Sequence, residues 1–436
     1  MKKRFGLFCV LLCAHTASAQ NLVITNARIL DGKGGAIERG TVVIRDGKIA
    51  SIAAGTAPAP AGTRARVVDA QGHTVMPGYI DAHRHLIEGD GQRWLKEQAP
   101  ARMQEFLEAG FTTVLSAIDQ RDAILELRRK LQAGEMKGPR LFSAAFIPLA
   151  GQPAARGGGG GGQRGGQPQG DPARFDTSRP PRRPTQPAPA IPREQTVKEV
   201  ETAAKMGFDY IKTVLTVTPG GPEKDTLKLI VQEGKKHNLP TITHAVSVID
   251  TLAAVEAGPA VLVHTPHIGR LDEDPAAVQK IAGAHIPMTS TLAVFIPHFG
   301  RENKPLFRDG LPFPWDTISS AGQGPVNARL LWEAGITYGY GTDTRWPPRE
   351  SLADELRALQ LVFSPKDIVT ILTKNAASAV LRSDRIGTLE AGKLADIVIV
   401  NGDPLADVTN LLDVRMVIKG GAVVVDKGAA TRPSTR

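Results

Sequence analysis

The chain has 436 residues, 42% of them apolar, enough for one large or two modest domains with a sizeable core. Its formal charge of +9 points to nucleic acid only until it is located: three cations fall in the first four residues, and residues 151–193 hold seven Arg against two Asp, so the remainder is close to neutral. Both cysteines, Cys9 and Cys13, lie in the first twenty residues, which excludes disulfides and thiolate metal sites from the rest.

In chain order, a cationic MKKR, the apolar FGLFCVLLCA and the small-residue ASA before Gln20 predict a signal peptide over residues 1–19, cleaved between Ala19 and Gln20. The apolar run is too short to span a bilayer as a permanent helix. Leu12 is a poor residue before a lipidated cysteine at Cys13. The expected product is periplasmic or secreted, with no integral membrane segment after signal removal. LVITNARILDGKGG and GTVVIRDGKIASIAAG follow, β-rich runs broken by Asp-Gly and Gly-Gly turns; ADIVIVNGDP and VRMVIKGGAVVV near the other end read alike. They predict a small β-sandwich domain built from residues 20–76 and 386–430.

The middle alternates. Apolar runs at TVMPGYIDAH, TTVLSA, RLFSAAFIP, DYIKTVL, TITHA, AVLVHTP, IPMTSTLA and ITYGYGTDT are separated by helical patterns such as RWLKEQAPARMQEFLEAG, DAILELRRKLQAG and DTLKLIVQEGKKHN. Eight strands with intervening helices predict an α/β fold, a (β/α)8 TIM barrel over residues 77–385. A doubly wound open sheet is the alternative, but no Gly-rich phosphate loop follows the first strand. Residues 151–193, with ten Gly and nine Pro, interrupt the barrel after its third strand. That composition cannot bury enough surface to offset ordering entropy, and predicts a disordered insertion. An Arg-Gly element for nucleic acid or an acidic polymer is the rival reading, weakened by export.

The polar residues recur at predicted strand ends. Strand 1 ends in His83 and His85, strand 4 carries Lys212, strand 5 His244, strand 6 ends in His264 and strand 8 in Asp343. The C-terminal ends of barrel strands converge on one mouth, where catalytic groups from several strands meet. Any one histidine alone reads as a satisfied core or cap residue. Four imidazoles, a carboxylate and a lysine at one mouth are poor packing and good metal ligands. His237, His267, His285 and His298 lack that placement and read as structural.

PGYIDAHRHL, DYIKTVL, TITHAVSVIDTLAAVEAG, VLVHTP, GTDT and IGTLEAGKLADIVIVNGDPLADV together resemble the metal-dependent amidohydrolase superfamily, in its imidazolonepropionase-like and prolidase-like branch. The resemblance implies that His83 and His85 bind a buried metal ion with Asp343, and that His244 and His264 bind a second. It implies that Lys212 is carboxylated by CO2, its carbamate bridging two divalent ions, zinc being the expected metal. A buried lysine loses its charge more easily, and the neutral amine is the form that CO2 attacks. The implied reaction is hydrolysis of a C–N amide bond by water activated between the ions, with Asp343 taking and returning the proton.

Related deaminases carry a Glu near the strand-5 histidine; His244-Ala245-Val246-Ser247 lacks it, and Val246 stands where many relatives have a second His. That favours amide hydrolysis over deamination. Phe295, Phe299, Phe307, Phe313 and Trp315, after strand 7, read equally as the wall of a hydrophobic pocket or as an internally packed surface loop. The partner expected is a small-molecule or dipeptide substrate, with no nucleic acid; a homo-oligomer stays open. Prolidase-type dipeptides or N-acyl amino acids are the first substrates to consider, and cyclic amides, imidazolones or lactones the alternative. A catalytically idle surface-binding protein is the non-enzymatic rival.

Overall fold

The computed structural model describes residues 21–55, 65–151, 186–296 and 320–428. The expected signal peptide, most of the expected insertion, His298, Phe299, Phe307, Phe313 and Trp315 lie outside these residues. Strands β1 (Leu22–Leu30), β2 (Ala36–Arg45), β3 (Lys48–Ala54), β4 (Arg66–Asp69) and β5 (Thr74–Pro77) come from the front of the chain. The β2–β3 hairpin turns on Asp46 and Gly47, at φ of 49° and 75°, the left-handed pair that a two-residue turn requires.

Eight parallel strands follow: β6 (Tyr79–Arg84), β7 (Phe111–Ser116), β8 (Arg140–Phe146), β9 (Tyr210–Val214), β10 (Thr241–His244), β11 (Val261–Val263), β12 (Met288–Thr289) and β13 (Tyr338–Gly339). They pair in chain order. The first and last meet where Ala82 N–H donates to the Tyr340 carbonyl (2.9 Å) and Thr342 N–H to the His83 carbonyl (3.1 Å). The result is a TIM barrel. Around it run α1 (Gly91–Glu97), α2 (Ala99–Glu108), α3 (Arg121–Gln132), α4 (Arg193–Lys205), α5 (Glu223–Lys236), α6 (Val248–Ala257), α7 (Pro275–Gly283), α8 (Ser320–Glu333) and α9 (Pro348–Leu359). Strands β14 (Ile397–Val400), β15 (Val414–Lys419) and β16 (Ala422–Asp426) complete the terminal sheet, in the order β16-β15-β14-β5-β1-β2-β3 with β4 on β1.

One apolar run and one helical pattern divide differently from their sequence reading. TVMPGYIDAH serves both sheets: Met76 pairs with Val398 in the terminal sheet, while Tyr79 opens the barrel. Gly78 makes the crossing, since a Cβ there would lie 2.4 Å from the Thr112 side chain. RWLKEQAPARMQEFLEAG is two helices, because Pro100 starts α2 and cannot continue α1. The terminal sheet has its own core, including Leu22, Ile24, Val42, Ile44, Ile397 and Ile418. The chain leaves the barrel at Gly151 and returns beside it, Gly151 N–H donating to the Pro189 carbonyl at 2.8 Å. No described helix is long and apolar enough to cross a membrane.

Candidate metal centre

A register shift in β6 between Asp81 and Arg84 bends the strand as it enters the mouth, where such irregularities re-aim side chains. His83 ends up 1% exposed, with His85 just past the strand. Lys212 is the middle residue of β9, His244 the last of β10 and His264 the first after β11; Asp343 lies beyond β13. All six converge. Asp343 Oδ1 lies 2.8 Å from His85 Nε2 and 3.2 Å from His83 Nε2, and its Oδ2 lies 3.9 Å from His264 Nε2. Lys212 Nζ lies 3.4 Å from His83 Nε2. The His264 ring centroid is 4.3 Å from that of His244 and 5.0 Å from that of His83.

The outer ring nitrogens leave the inner ones facing the site. His85 Nδ1 meets the Ile118 carbonyl at 3.0 Å, which can only accept. His85 Nε2 faces an Asp343 oxygen, also an acceptor, and either a proton or a metal ion between them satisfies both. His264 Nδ1 is taken by Thr291 Oγ1 at 2.7 Å, and its buried Nε2 has no hydrogen-bond partner among the described residues. Ligand atoms of His83, His264 and Asp343 all fall within 4.8 Å of one another. Imidazole and carboxylate donors at this spacing suit a divalent metal ion.

The electrostatics agree. Burial, and then the neighbouring Lys212, push His83 down to about 3, and the same two causes push His244 down to about 3. Burial, followed by His244, holds His264 well below its ordinary value. These rings stay neutral and keep their lone pairs. Burial would raise the Asp343 carboxyl, but His264 and the hydrogen bonds from His83 and His85 outweigh it and hold it well down. Burial lowers Lys212 to about 7 against the pull of Asp343.

Beneath the candidate ligands lies a layer the sequence reading did not select. Asp81 accepts from Thr342 Oγ1 at 2.7 Å and from the His83 N–H at 3.2 Å, and burial raises its carboxyl to about 6. Arg84, also buried, donates to Thr342 Oγ1 at 2.9 Å and to the Trp346 carbonyl, and lies 3.6 Å from Asp81. Together they tie the His83 strand to the segment carrying Asp343. The Asp two residues before His83 was the available signal for this layer. Thr291 and Glu355 left none, since their contacts cross large sequence separations. His267, set aside as structural, is at the mouth: 7% exposed, its ring stacks on Phe295 with centroids 3.8 Å apart. Phe295 also packs edge-on against His264, at 5.2 Å, and is the member of the aromatic set after strand 7 that can be placed. His237 caps the end of α5 and His285 follows α7, away from the site.

Barrel and site together define a metal-dependent hydrolase scaffold. The model of the amidohydrolase family matches residues 74–424. An imidazolonepropionase of Thermoanaerobacter pseudethanolicus is 24% identical over 416 residues, covering 84% of each chain. One from Shouchella clausii is 31% identical over 209 residues, 46% of this chain and 40% of that protein. A crystal structure of a Xaa-Pro dipeptidase with bound methionine in its active site superposes with a TM-score of 0.72 at 20% identity, over 93% of this chain and 99% of that one. The chain belongs to the amidohydrolase family, within the metal-dependent superfamily, and is a hydrolase of carbon–nitrogen bonds.

Proposed function

We propose that this is an exported, binuclear amidohydrolase that cleaves a C–N amide bond, most simply in prolidase-type dipeptides or N-acyl amino acids. The observation that carries the binuclear reading is Lys212: a buried amine held to about 7, 3.4 Å from His83 Nε2, among neutral imidazoles. An ammonium beside two cations is unfavourable, whereas a carbamate on the same nitrogen is an anion with oxygens to share. His83 and His85 with Asp343 would hold one ion, His244 and His264 a second, and a carbamate on Lys212 would supply an anionic ligand to them. Bound divalent ions, zinc by donor type, supply Lewis-acid polarisation of the scissile carbonyl and a more acidic water. Asp343, whose Oδ1 lies beside both imidazoles, takes the proton from the attacking water and passes it to the leaving nitrogen.

The dipeptide reading draws on the fold shared with the Xaa-Pro dipeptidase. A second reading, opening of a cyclic amide, imidazolone or lactone, draws on the imidazolonepropionase similarity across most of both chains. The full ligand set speaks against an idle surface-binding protein. The discriminating experiment presents zinc-loaded protein with dipeptides ending in Pro or a hydrophobic residue, N-acyl amino acids, and imidazolone or dihydroorotate-like rings. Turnover of the linear amides is expected; turnover of the rings alone would replace the first reading by the second. Export is tested by the N-terminal residue of protein recovered outside the cytoplasm, expected to be Gln20.

A further inference from the structure

The last three barrel strands each lead into a non-glycine residue with left-handed backbone: His264 at φ 78°, Thr291 at 45° and Asp343 at 55°. Two of these are ligand candidates. The third, Thr291, is β-branched, the type for which this conformation is least expected. Such strain persists only where the surroundings over-determine it.

Glu355 supplies that constraint. It sits on α9, fully buried, and reaches the turn after β12. Its Oε1 accepts the Leu292 N–H at 2.9 Å and its Oε2 the Ala293 N–H at 2.8 Å, the two amides that follow Thr291. Thr291 N–H itself donates to the Gly341 carbonyl at 3.2 Å. With the backbone pinned on both sides, Thr291 Oγ1 lies 2.7 Å from His264 Nδ1, and His264 Nε2 points toward Asp343. A buried carboxylate brought from a distant helix is a costly way to cap the single 3-10 turn Ala293–Phe295. It is an effective way to hold one ring at one angle.

We infer that Glu355 is a positioning residue for the metal centre, acting through the strained Thr291 to fix the direction of the His264 ring. The inference rests on the reading of His264 as a ligand. Outer partners of this kind set ligand orientation, and their loss weakens metal binding.

The test is zinc titration of the metal-free protein against a competing chelator, which needs no substrate. Thr291→Val is expected to weaken the more weakly held zinc by about 10–100-fold, while Thr291→Ser, which keeps the hydroxyl, stays within about threefold of the parent. Glu355→Gln should weaken zinc to the same degree as Thr291→Val, since its amide must turn a donor toward one backbone N–H. The double variant should be no worse than the weaker single one, because both changes act on one ring. A Glu355 that only braces the fold would lower the melting temperature, leave zinc affinity alone and add to Thr291→Val; any of these zinc results overturns the inference. Should Glu355→Gln not fold, Glu355→Asp, with the same charge drawn back by one methylene, is expected to weaken zinc likewise, and parental affinity there would overturn it too. His264→Ala separates the two readings. If it loses zinc while Thr291→Val does not, the inference fails alone. If His264→Ala also binds zinc as the parent does, the ligand reading has failed.

Discussion

Lys212 Nζ lies 3.4 Å from His83 Nε2, and neither side chain is more than 1% exposed. Two basic groups do not share a buried site as cations. Lys212→Ala is therefore expected to reduce bound zinc from about two ions toward one, with turnover falling by about two orders of magnitude or more. Lys212→Arg should do no better, because a guanidinium stays charged and forms no carbamate. Elemental analysis of the three purified proteins, read beside turnover, is the check. Two ions and full activity in Lys212→Ala would leave no place for a bridging carbamate.

Arg84 is enclosed with Asp81, 3.6 Å away, and with Thr342. Removing one member of a buried pair leaves the other without compensation, at a cost of about 3–5 kcal/mol. Arg84→Met is expected to lose that much in denaturant unfolding of the metal-free protein. Asp81→Asn/Arg84→Met should recover part of it, since both charges then go. A double variant less stable than Arg84→Met would mean that the pair is not the source of the loss.

Glu355 gives the fold a pH dependence with a definite sign. Burial raises its carboxyl from 4.5 to about 7, opposed by hydrogen bonds from Ser290, Ala293 and Leu292. A group with a raised folded value favours the fold fully below its unfolded value, and that contribution is lost as pH rises through the folded one. The relevant window runs from about pH 4.5 to a little above pH 7. Across it the parent should lose on the order of 3 kcal/mol that Glu355→Gln does not lose. Unfolding midpoints of both metal-free proteins at pH 5 and pH 8 measure the difference. Parallel slopes would show that Glu355 does not titrate in that range.

Gly151 N–H meets the Pro189 carbonyl at 2.8 Å, so the intervening segment begins and ends at one point on the barrel. Replacing residues 153–187 by a short Gly-Ser join should therefore leave zinc content and turnover nearly intact. Stability should rise by about 2 kcal/mol or less from the shorter closure. Loss of activity with zinc and fold retained would assign the segment a part in substrate handling.

The sequence alone determined the barrel, the two-ended β domain and which six polar residues meet at the barrel mouth. Each rests on a local regularity: apolar runs at strand length, Asp-Gly and Gly-Gly turns, and polar residues repeated at strand ends. Convergence of those ends on one mouth is a property of any parallel barrel, so His83, His85, Lys212, His244, His264 and Asp343 could be grouped before any distance was known. What surrounds the ligands was decided by tertiary structure. Glu355 reaches the amides of Leu292 and Ala293 across 63 and 62 residues, and Arg84 reaches Thr342 across 258. A helix pattern accounts for Glu355 as readily on a solvated face as in a buried clamp, because 3.6-residue periodicity reports which face is apolar and not what a polar residue meets. The surroundings of His267 were hidden for the same reason: its place at the mouth shows only once the fold brings Phe295 against its ring at 3.8 Å. The left-handed backbone at Thr291 has no signature in its own residue type, since the constraint that holds it lies on another element of the fold.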